Sequence, residues 1–212
     1  MRVIGTVGLA GSGKGELAEV AREAGVPVVT MGDVIRAACR DRGLDPADHH
    51  GEVAQALREE DGPAAIARRS LPRVREALDD ADVVLVDGIR SDAEVDVFEG
   101  AFGETFSLVS VEAPYDVREE RVRERGRDNT DRETLAERDA RELGFGMGRA
   151  MDRADLVVGN VASLERLRER ARAVVEEGVG AVESDDGFDW RDGPGAERLD
   201  GTEPTADGGD PA

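Results

Sequence analysis

Short runs of apolar, β-branched residues alternate along the chain with longer segments that have the hydrophobic spacing of helices. Five of these runs have the length of strands, and their continuous apolar character is typical of strands covered on both faces. They are Val3 to Val7, Val26 to Thr30, Val83 to Val86, Phe106 to Val111 and Leu156 to Val158. Strands that alternate with helices predict an α/β fold, a five-stranded parallel sheet with helices on both faces.

The helical segments are Lys14 to Ala24, Asp33 to Asp41, Glu52 to Glu60, Ala64 to Leu78, Ala93 to Phe98, Val117 to Glu124, Thr134 to Leu143 and Leu164 to Glu176. Pro72 should kink or divide the fourth, because proline has no N–H group to donate and clashes with the preceding turn. His49 and His50 fall between predicted helices, and we expect them in a loop as solvent-exposed polar residues.

Two connections are longer than a crossover helix requires, and each is expected at the carboxyl edge of the sheet, where ligands bind. Residues 32–80 would form an acceptor-binding insertion, and the arginine-rich residues 118–150 a mobile lid. Residues 183–212 are acidic and rich in Gly and Pro, and they cannot bury enough surface to offset their ordering entropy. The sequence predicts one domain over residues 1–182 and a disordered acidic tail, in which only Phe188 and Trp190 could dock.

The chain carries 48 acidic and 28 basic residues, a net charge of −20. This charge disfavours binding to nucleic acid and to anionic lipid. The acidic excess and the near absence of lysine indicate a halophilic protein, because high salt screens such a charge. A single cysteine, Cys39, excludes an intrachain disulfide, and no apolar run is long enough to cross a bilayer. We therefore expect a cytoplasmic protein with no membrane partner.

The only lysine among the 28 basic residues lies in a glycine-rich segment after the first predicted strand. This segment has the sequence Gly8-Leu9-Ala10-Gly11-Ser12-Gly13-Lys14-Gly15-Glu16. Glycines allow successive backbone N–H groups to surround an anion, the following helix presents its positive N-terminus, and the ammonium can reach the outer phosphates of a nucleotide. The alternative is a glycine-rich turn without a ligand, but the order of strand, loop and helix favours a nucleotide site.

We expect a nucleoside triphosphate to contact Gly8, Gly11, Ser12, Gly13, Lys14, Gly15 and Glu16. No Ser or Thr follows Lys14 to bind Mg²⁺, so the metal would depend on other oxygens. The carboxylate of Glu16 could help to hold the metal or repel the phosphates.

Charged residues also follow the second and third predicted strands. Gly32-Asp33-x-x-Arg36 follows the second, where Asp33 taken alone would be a helix N-cap and Arg36 an exposed helical residue. Asp87-Gly88-Ile89-Arg90 follows the third. A carboxylate at the tip of a buried strand is costly unless it meets a cation, so Asp87 favours a magnesium site.

These motifs together resemble the adenylate kinase and nucleoside monophosphate kinase superfamily. Two further segments look more like dephospho-coenzyme A kinase: Ala113-Pro114-x-x-x-Arg118-x-x-Arg121-x-x-x-Arg125 and Ala154-Asp155-Leu156-Val157-Val158-Gly159-Asn160. The whole pattern, which includes Asp87 to Ser91 and Glu137 to Leu143, is most similar to an uncharacterised archaeal family of P-loop kinase-like proteins.

The resemblance implies a P-loop NTPase fold and transfer of the ATP γ-phosphoryl group to a small, nucleotide-like phosphorylated acceptor. It implies catalytic roles for Lys14, Asp87, Arg90 and Arg121, and ATP contacts for Arg118 and Arg125, with Arg127 beside them. Asp33, Arg36 and Arg90 would bind the acceptor, and Asp33 and Asp87 would position Mg²⁺. The spacing of Arg118, Arg121 and Arg125 puts them on one helical face, but a solvated helix of Arg and Glu pairs is the alternative.

The sequence departs from adenylate kinase at positions that would contact the acceptor or the metal. Met31 and Glu16 each replace a threonine, and Asp87-Gly88-Ile89-Arg90 lacks the usual proline and is one residue shorter. A second hypothesis is therefore an ATP-hydrolysing switch or assembly factor, whose lid and tail contact a protein or ribonucleoprotein partner. A third is a nucleotide-binding domain without turnover.

Overall fold

A computed structural model of the protein describes residues 1–125 and 133–185. Five strands in this part of the chain form one sheet in the order β2-β3-β1-β4-β5, and every neighbouring pair is parallel. The strands are β1 (Arg2–Val7), β2 (Val28–Thr30), β3 (Val83–Asp87), β4 (Phe106–Glu112) and β5 (Leu156–Gly159). The predicted α/β fold with a five-stranded parallel sheet is confirmed.

Strand β1 lies at the centre of the sheet, between β3 and β4. Its register places Thr6 opposite Asp87 of β3 and Val7 opposite Ser110 of β4. The chain leaves β1 between the carboxyl ends of its two neighbours, which is where parallel sheets bind ligands. The glycine-rich segment begins at this point.

Each of the predicted helices is present, and most extend by a few residues beyond the predicted ends. The helices are α1 (Gly15–Glu23), α2 (Met31–Asp41), α3 (Pro46–Asp61), α4 (Ala65–Asp80), α5 (Asp92–Phe102), α6 (Tyr115–Arg125), α7 (Leu135–Gly144), α8 (Met147–Met151) and α9 (Leu164–Glu177). Helix α8 was not predicted, because its five residues are too few to show a helical period.

Two local predictions are corrected by the structure. Helix α4 continues through Pro72 and is not divided there, whereas a kink at Pro72 stays a prediction. The histidines lie inside α3 instead of a loop, because the helix starts earlier than its hydrophobic pattern indicates. Asp45 caps it by accepting a hydrogen bond from the backbone N–H of Ala47 (2.9 Å), and Pro46 occupies the first turn. Helix formation leaves His49 and His50 half-buried.

An apolar layer covers each face of the sheet. Alternate residues of β1 supply the two layers, with Val3 in one and Ile4 in the other. Helices α2 to α5 and α8 pack on the Val3 side, where the rings of Phe98 and Phe106 stack with centroids 5.8 Å apart. Helices α1 and α9 pack on the Ile4 side around Leu17. The side chains that leave the carboxyl edge are therefore held by a rigid, doubly covered sheet.

The described chain extends to Asp185, beyond the tail boundary predicted at residue 183. Its last residues bind the free edge of β5: the backbone N–H of Val157 donates to Ser184 Oγ (3.0 Å), and that of Gly159 donates to Asp185 Oδ2 (2.8 Å). The remainder of the predicted tail, with Phe188 and Trp190, lies outside the described residues.

Candidate active site

The glycine-rich segment forms a tight loop between β1 and α1. Gly11 and Gly13 have φ angles of +79° and +101°, a region that strongly favours glycine. A Cβ atom would lie 2.7 Å from the carbonyl oxygen of Arg118 at Gly11, and 2.2 Å from Nδ2 of Asn160 at Gly13. The loop is thus held between α6 and the residue after β5, and both glycines are required by its shape.

Lys14 is the last residue before α1 and is half-buried. Its ammonium nitrogen donates to the carbonyl oxygens of Gly8 (2.9 Å) and Leu9 (3.5 Å), so it lies over its own loop. Burial lowers the pKa of Lys14 from 10.5 to about 8, and the nearby carboxylates of Glu142 and Asp87 oppose this shift only in part. The site thus contains a poorly solvated cation, which a bound anion would stabilise.

Ser12 lies in the glycine-rich loop of residues 8–15, which we name the phosphate loop after its predicted ligand, and Asn160 contacts this loop. The hydroxyl oxygen of Ser12 is buried and has no hydrogen-bond partner among the described residues. Asn160 Nδ2 donates to the carbonyl oxygen of Ser12 (2.8 Å), and Arg121 Nη2 donates to that of Asn160 (3.0 Å). No role was predicted for Asn160, although its position directly after β5 was the available signal.

A cavity of about 250 Å³ adjoins the loop on the side of α9. It is lined by Gly13, Glu16, Arg121, Glu124, Asn160, Leu164 and Leu167, and we call it the α9 cavity. Glu16, which was predicted to contact the phosphates or the metal, accepts a hydrogen bond from Arg168 of α9 (3.1 Å). The structure brings Arg121 to this cavity together with Gly13 of the loop.

Arg118 is placed differently from the prediction. It was expected to contact ATP, but its side chain is buried in an ion pair with Asp139 of α7, in which Nη2 and Oδ2 are 2.7 Å apart. Its guanidinium also donates to the carbonyl oxygens of Ala10 (3.0 Å) and Ala113 (3.2 Å). Arg118 therefore fastens the phosphate loop to α7 in this structure. The side chain of Arg125 and the whole of Arg127 lie outside the described residues.

A second cavity, of about 190 Å³, adjoins Lys14 on the side of the loop where β2 and β3 end. We call it the basic cavity, and its lining is Lys14, Thr30, Met31, Gly32, Ile35, Arg36, His50, Arg58, Ile66, Asp87, Gly88, Arg90 and Glu94. The structure thus brings together four predicted site residues, Lys14, Arg36, Asp87 and Arg90. His50, Arg58 and Glu94 also line this cavity, although no site role was predicted for them from the sequence.

The predicted metal ligands have separate partners. The Oδ1 atom of Asp33 is 2.6 Å from Nη2 of Arg36, one turn further along α2, and Thr30 rather than Asp33 is the N-cap. Asp87 Oδ1 accepts a hydrogen bond from the hydroxyl of Thr6 (3.2 Å). Within residues 1–125 and 133–185, no group of three or more His, Cys, Asp or Glu side chains could hold a metal ion.

A buried glutamate of α7 lies beside the phosphate loop. Glu142 Oε1 accepts hydrogen bonds from Arg90 Nη1 (2.6 Å) and Arg138 Nε (3.4 Å). Burial acts to raise the pKa of Glu142, but Arg90, Lys14 and Arg138 outweigh it and hold that pKa below its usual value. Glu142 therefore stays a carboxylate and balances the cations around the loop. It belongs to the segment from Glu137 to Leu143, for which no role was predicted.

His50 lies in the positive field of the basic cavity. Burial and the charges of Arg90, Arg36 and Arg58 lower its pKa, and a hydrogen bond with the backbone of Gly32 opposes them. An anion that entered this cavity would meet three guanidinium groups.

None of the described helices is long and apolar enough to cross a membrane.

Residues 7–136 match the model of the AAA domain family AAA_17. Curated relatives cover most of the chain. A UPF0200 protein of Halobacterium salinarum is 54% identical over 89% of this chain and 100% of its own length. A UPF0200 protein of Methanothrix thermoacetophila is 46% identical over 84% of this chain and 98% of its own length.

Solved structures share the fold at low sequence identity. The TT1252 protein of Thermus thermophilus superposes with a TM-score of 0.58 and 23% identity, over 83% of this chain and 97% of its own. A shikimate kinase from Aquifex aeolicus superposes with a TM-score of 0.50 and 15% identity, over 83% of this chain and 96% of its own. A gluconokinase from Sinorhizobium meliloti superposes with a TM-score of 0.51 and 18% identity, over 84% of this chain and 94% of its own. The chain has the fold of P-loop kinases, and it belongs to the archaeal UPF0200 family.

Proposed function

We propose that this protein is an ATP-dependent kinase that transfers the γ-phosphoryl group to a small phosphorylated acceptor. The observation that carries the proposal is that two cavities adjoin consecutive residues of the phosphate loop. The α9 cavity is lined by Gly13, and the basic cavity is lined by Lys14. Two substrates bound in these cavities would meet at the lysine ammonium, which is the arrangement that direct phosphoryl transfer requires.

In this proposal, the nucleoside part of ATP occupies the α9 cavity and its phosphates lie along the loop. The buried hydroxyl of Ser12, which has no partner among the described residues, would donate to a phosphate oxygen. Lys14 would exchange the carbonyls of Gly8 and Leu9 for the outer phosphates. Catalysis would come from positioning and charge neutralisation by Lys14, Arg90 and Arg121, without a covalent intermediate.

Magnesium fits the same site through Asp87. Mg²⁺ in kinases is commonly bound by one or two carboxylates together with phosphate oxygens and water, so a larger cluster of protein ligands is not needed. Bound there, the ion would neutralise charge on the transferring group. The hydrogen bond from Thr6 orients Asp87 at the tip of β3. Asp33 would reach a metal or an acceptor only after release from Arg36.

The basic cavity is the proposed acceptor site. Arg36, Arg58 and Arg90 offer planar guanidinium groups, which match phosphate and carboxylate oxygens in pairs. The names of the shikimate kinase and gluconokinase neighbours support a small-molecule acceptor, although these proteins are similar in fold alone.

An acceptor screen tests the proposed function. The protein would be incubated with γ-labelled ATP and magnesium in concentrated potassium chloride, together with nucleoside monophosphates, dephospho-coenzyme A and small hydroxylated phosphates and carboxylates. A new labelled product is expected, and Lys14→Ala should abolish it while the far-ultraviolet spectrum is unchanged. Release of ADP and phosphate without a labelled acceptor would instead support an ATP-driven switch. Turnover that Lys14→Ala leaves intact would refute the mechanism.

A further inference from the structure

Glu94 lines the basic cavity, and one of its carboxylate oxygens is buried without a hydrogen bond from the described residues. Glu94, in the first turn of α5, is fully buried, and its Oε2 accepts the backbone N–H of Arg90 (2.8 Å). Its other oxygen, Oε1, accepts no hydrogen bond from the described residues, and Arg58 Nη2 lies 3.5 Å away without hydrogen-bond geometry. A buried acceptor without a donor is costly, so folded proteins seldom leave one unless a ligand or water completes it.

The other residues that line the cavity indicate what kind of ligand could supply a donor to Glu94 Oε1. Arg36, Arg58 and Arg90 attract an anion, whereas the negative charge of Glu94 repels one. A simple anion would therefore leave Oε1 without a donor. Burial raises the pKa of Glu94, and the charges of Arg58 and Arg90 oppose this shift. A molecule that combines an anionic group with a hydrogen-bond donor could bind the guanidinium groups and also donate to Glu94 Oε1.

We propose that the basic cavity binds a phosphate monoester that carries a free hydroxyl group, and that this hydroxyl donates to Glu94 Oε1 while the arginines bind the phosphate. The proposal rests on the proposed function and narrows the acceptor to a hydroxylated phosphate. In this role Glu94 is a specificity-determining residue, because an acceptor without the hydroxyl would leave its oxygen buried and unpaired.

The chain provides its own reporter for this cavity, since His49 and His50 are the only histidines of the sequence. The ring of His50 lines the cavity, and the arginines around it lower its pKa. A bound phosphate would offset their charge and raise that pKa. His49 is not part of the lining, and its Nδ1 lies 3.0 Å from Glu52 Oε2. It therefore serves as an internal control in the same spectrum.

The experiment is a proton NMR titration of the two histidine rings with a matched pair of probes. Glycerol 1-phosphate and n-propyl phosphate have the same chain length and charge, but only the first has hydroxyl groups. We expect both to raise the pKa of His50 and not that of His49. Glycerol 1-phosphate should bind about tenfold tighter, as expected for one hydrogen bond to a carboxylate.

Glu94→Gln tests whether this oxygen causes the preference. The amide can keep the hydrogen bond from the backbone of Arg90 while it presents an NH₂ group to the cavity. The preference for glycerol 1-phosphate should fall to about threefold or less, because a neutral hydrogen bond replaces a charge-assisted one. The matched control is Glu99→Gln on the same helix, whose carboxylate pairs with Arg153 at the surface and should leave the preference unchanged.

Equal binding of the two probes to the wild-type protein would overturn the inference, and this result needs no variant. An unaltered preference in Glu94→Gln, or no response of His50 to either probe, would also overturn it. Calorimetry of ATP on the same sample separates this failure from failure of the proposed function. ATP binding without a hydroxyl preference would refute only the hydroxylated phosphate, whereas absent ATP binding would refute the kinase itself.

Discussion

At the scale of single residues, Lys14 has the most constrained chemistry in the site. Its ammonium is poorly solvated and is held over the loop by the carbonyls of Gly8 and Leu9. The lowered pKa of about 8 means that the free protein holds this proton weakly. A bound triphosphate would favour the charged form and raise the pKa again. Nucleotide binding and protonation of Lys14 are therefore coupled.

This coupling predicts a pH dependence for ATP binding. Below about pH 8 the ammonium is already charged and affinity should be flat, whereas above it binding must take up a proton and affinity should fall by up to about tenfold per pH unit. Calorimetry in buffers of different ionisation enthalpy measures the proton uptake. Lys14→Arg is the control, because a guanidinium stays charged and should remove the uptake. The same uptake in both proteins would contradict the assignment to Lys14.

The loop glycines give a prediction about stability. An alanine at Gly13 must adopt a φ of +101° with its Cβ 2.2 Å from Asn160 Nδ2. We expect Gly13→Ala to lower the free energy of unfolding by about 1–3 kcal/mol. Gly15→Ala is the matched control: it begins α1 with no atom within 4 Å of the added Cβ, and it should stabilise by about 0.5–1 kcal/mol. Equal effects of the two substitutions in urea denaturation would refute the loop geometry.

At the scale of elements, α7 is fastened to the phosphate loop by a buried ion pair. Asp139 binds Arg118, which in turn binds the carbonyl oxygen of Ala10. Three residues along α7, Glu142 binds Arg90. Both carboxylates are on one face of the helix, which lies against the site. We propose that a lid formed by residues 118–150 is anchored to the loop through Arg118 and Asp139.

Removal of one partner of this pair should be costly. Asp139→Asn leaves the guanidinium of Arg118 buried without a counter-ion, and we expect a loss of about 3–5 kcal/mol in the free energy of unfolding. Glu169→Gln, which breaks the exposed pair with Arg166, is the control and should change it by less than about 1 kcal/mol. Joint replacement by Arg118→Met and Asp139→Leu should recover part of the loss. A similar small effect for Asp139→Asn and Glu169→Gln would show that the pair is not structural.

The same elements show how far the sequence could predict the structure. The strands were predictable because each is a continuous apolar run. Lys14, Asp87 and Arg90 could be predicted to lie near one another because each lies at or after the end of a strand, and these strand ends meet at one edge of the sheet. His50 was missed since Asp45 and Pro46 start α3 before any hydrophobic period begins. Arg58, Glu94 and Glu142 reach the site through packing of helices that are distant in sequence, and no local pattern indicates those contacts.

At the scale of the whole molecule, the net charge of −20 opposes compaction. We propose that the protein is adapted to high salt, and its melting temperature should then rise by several degrees between about 0.1 and 1 M potassium chloride, as the Debye length falls from about 10 to 3 Å. Sodium chloride at equal ionic strength is the control, because screening does not distinguish the two cations. A melting temperature that is constant or falls with salt would contradict this adaptation.

The central claim is that a nucleoside triphosphate binds the loop between β1 and α1 with its charge met by Lys14. Isothermal calorimetry of magnesium-ATP in concentrated potassium chloride tests it most directly. We expect saturable binding of one ATP per chain to the wild-type protein, and loss of this binding in a folded Lys14→Ala variant. Absence of heat with every nucleoside triphosphate, or equal affinity of the two proteins, would contradict it.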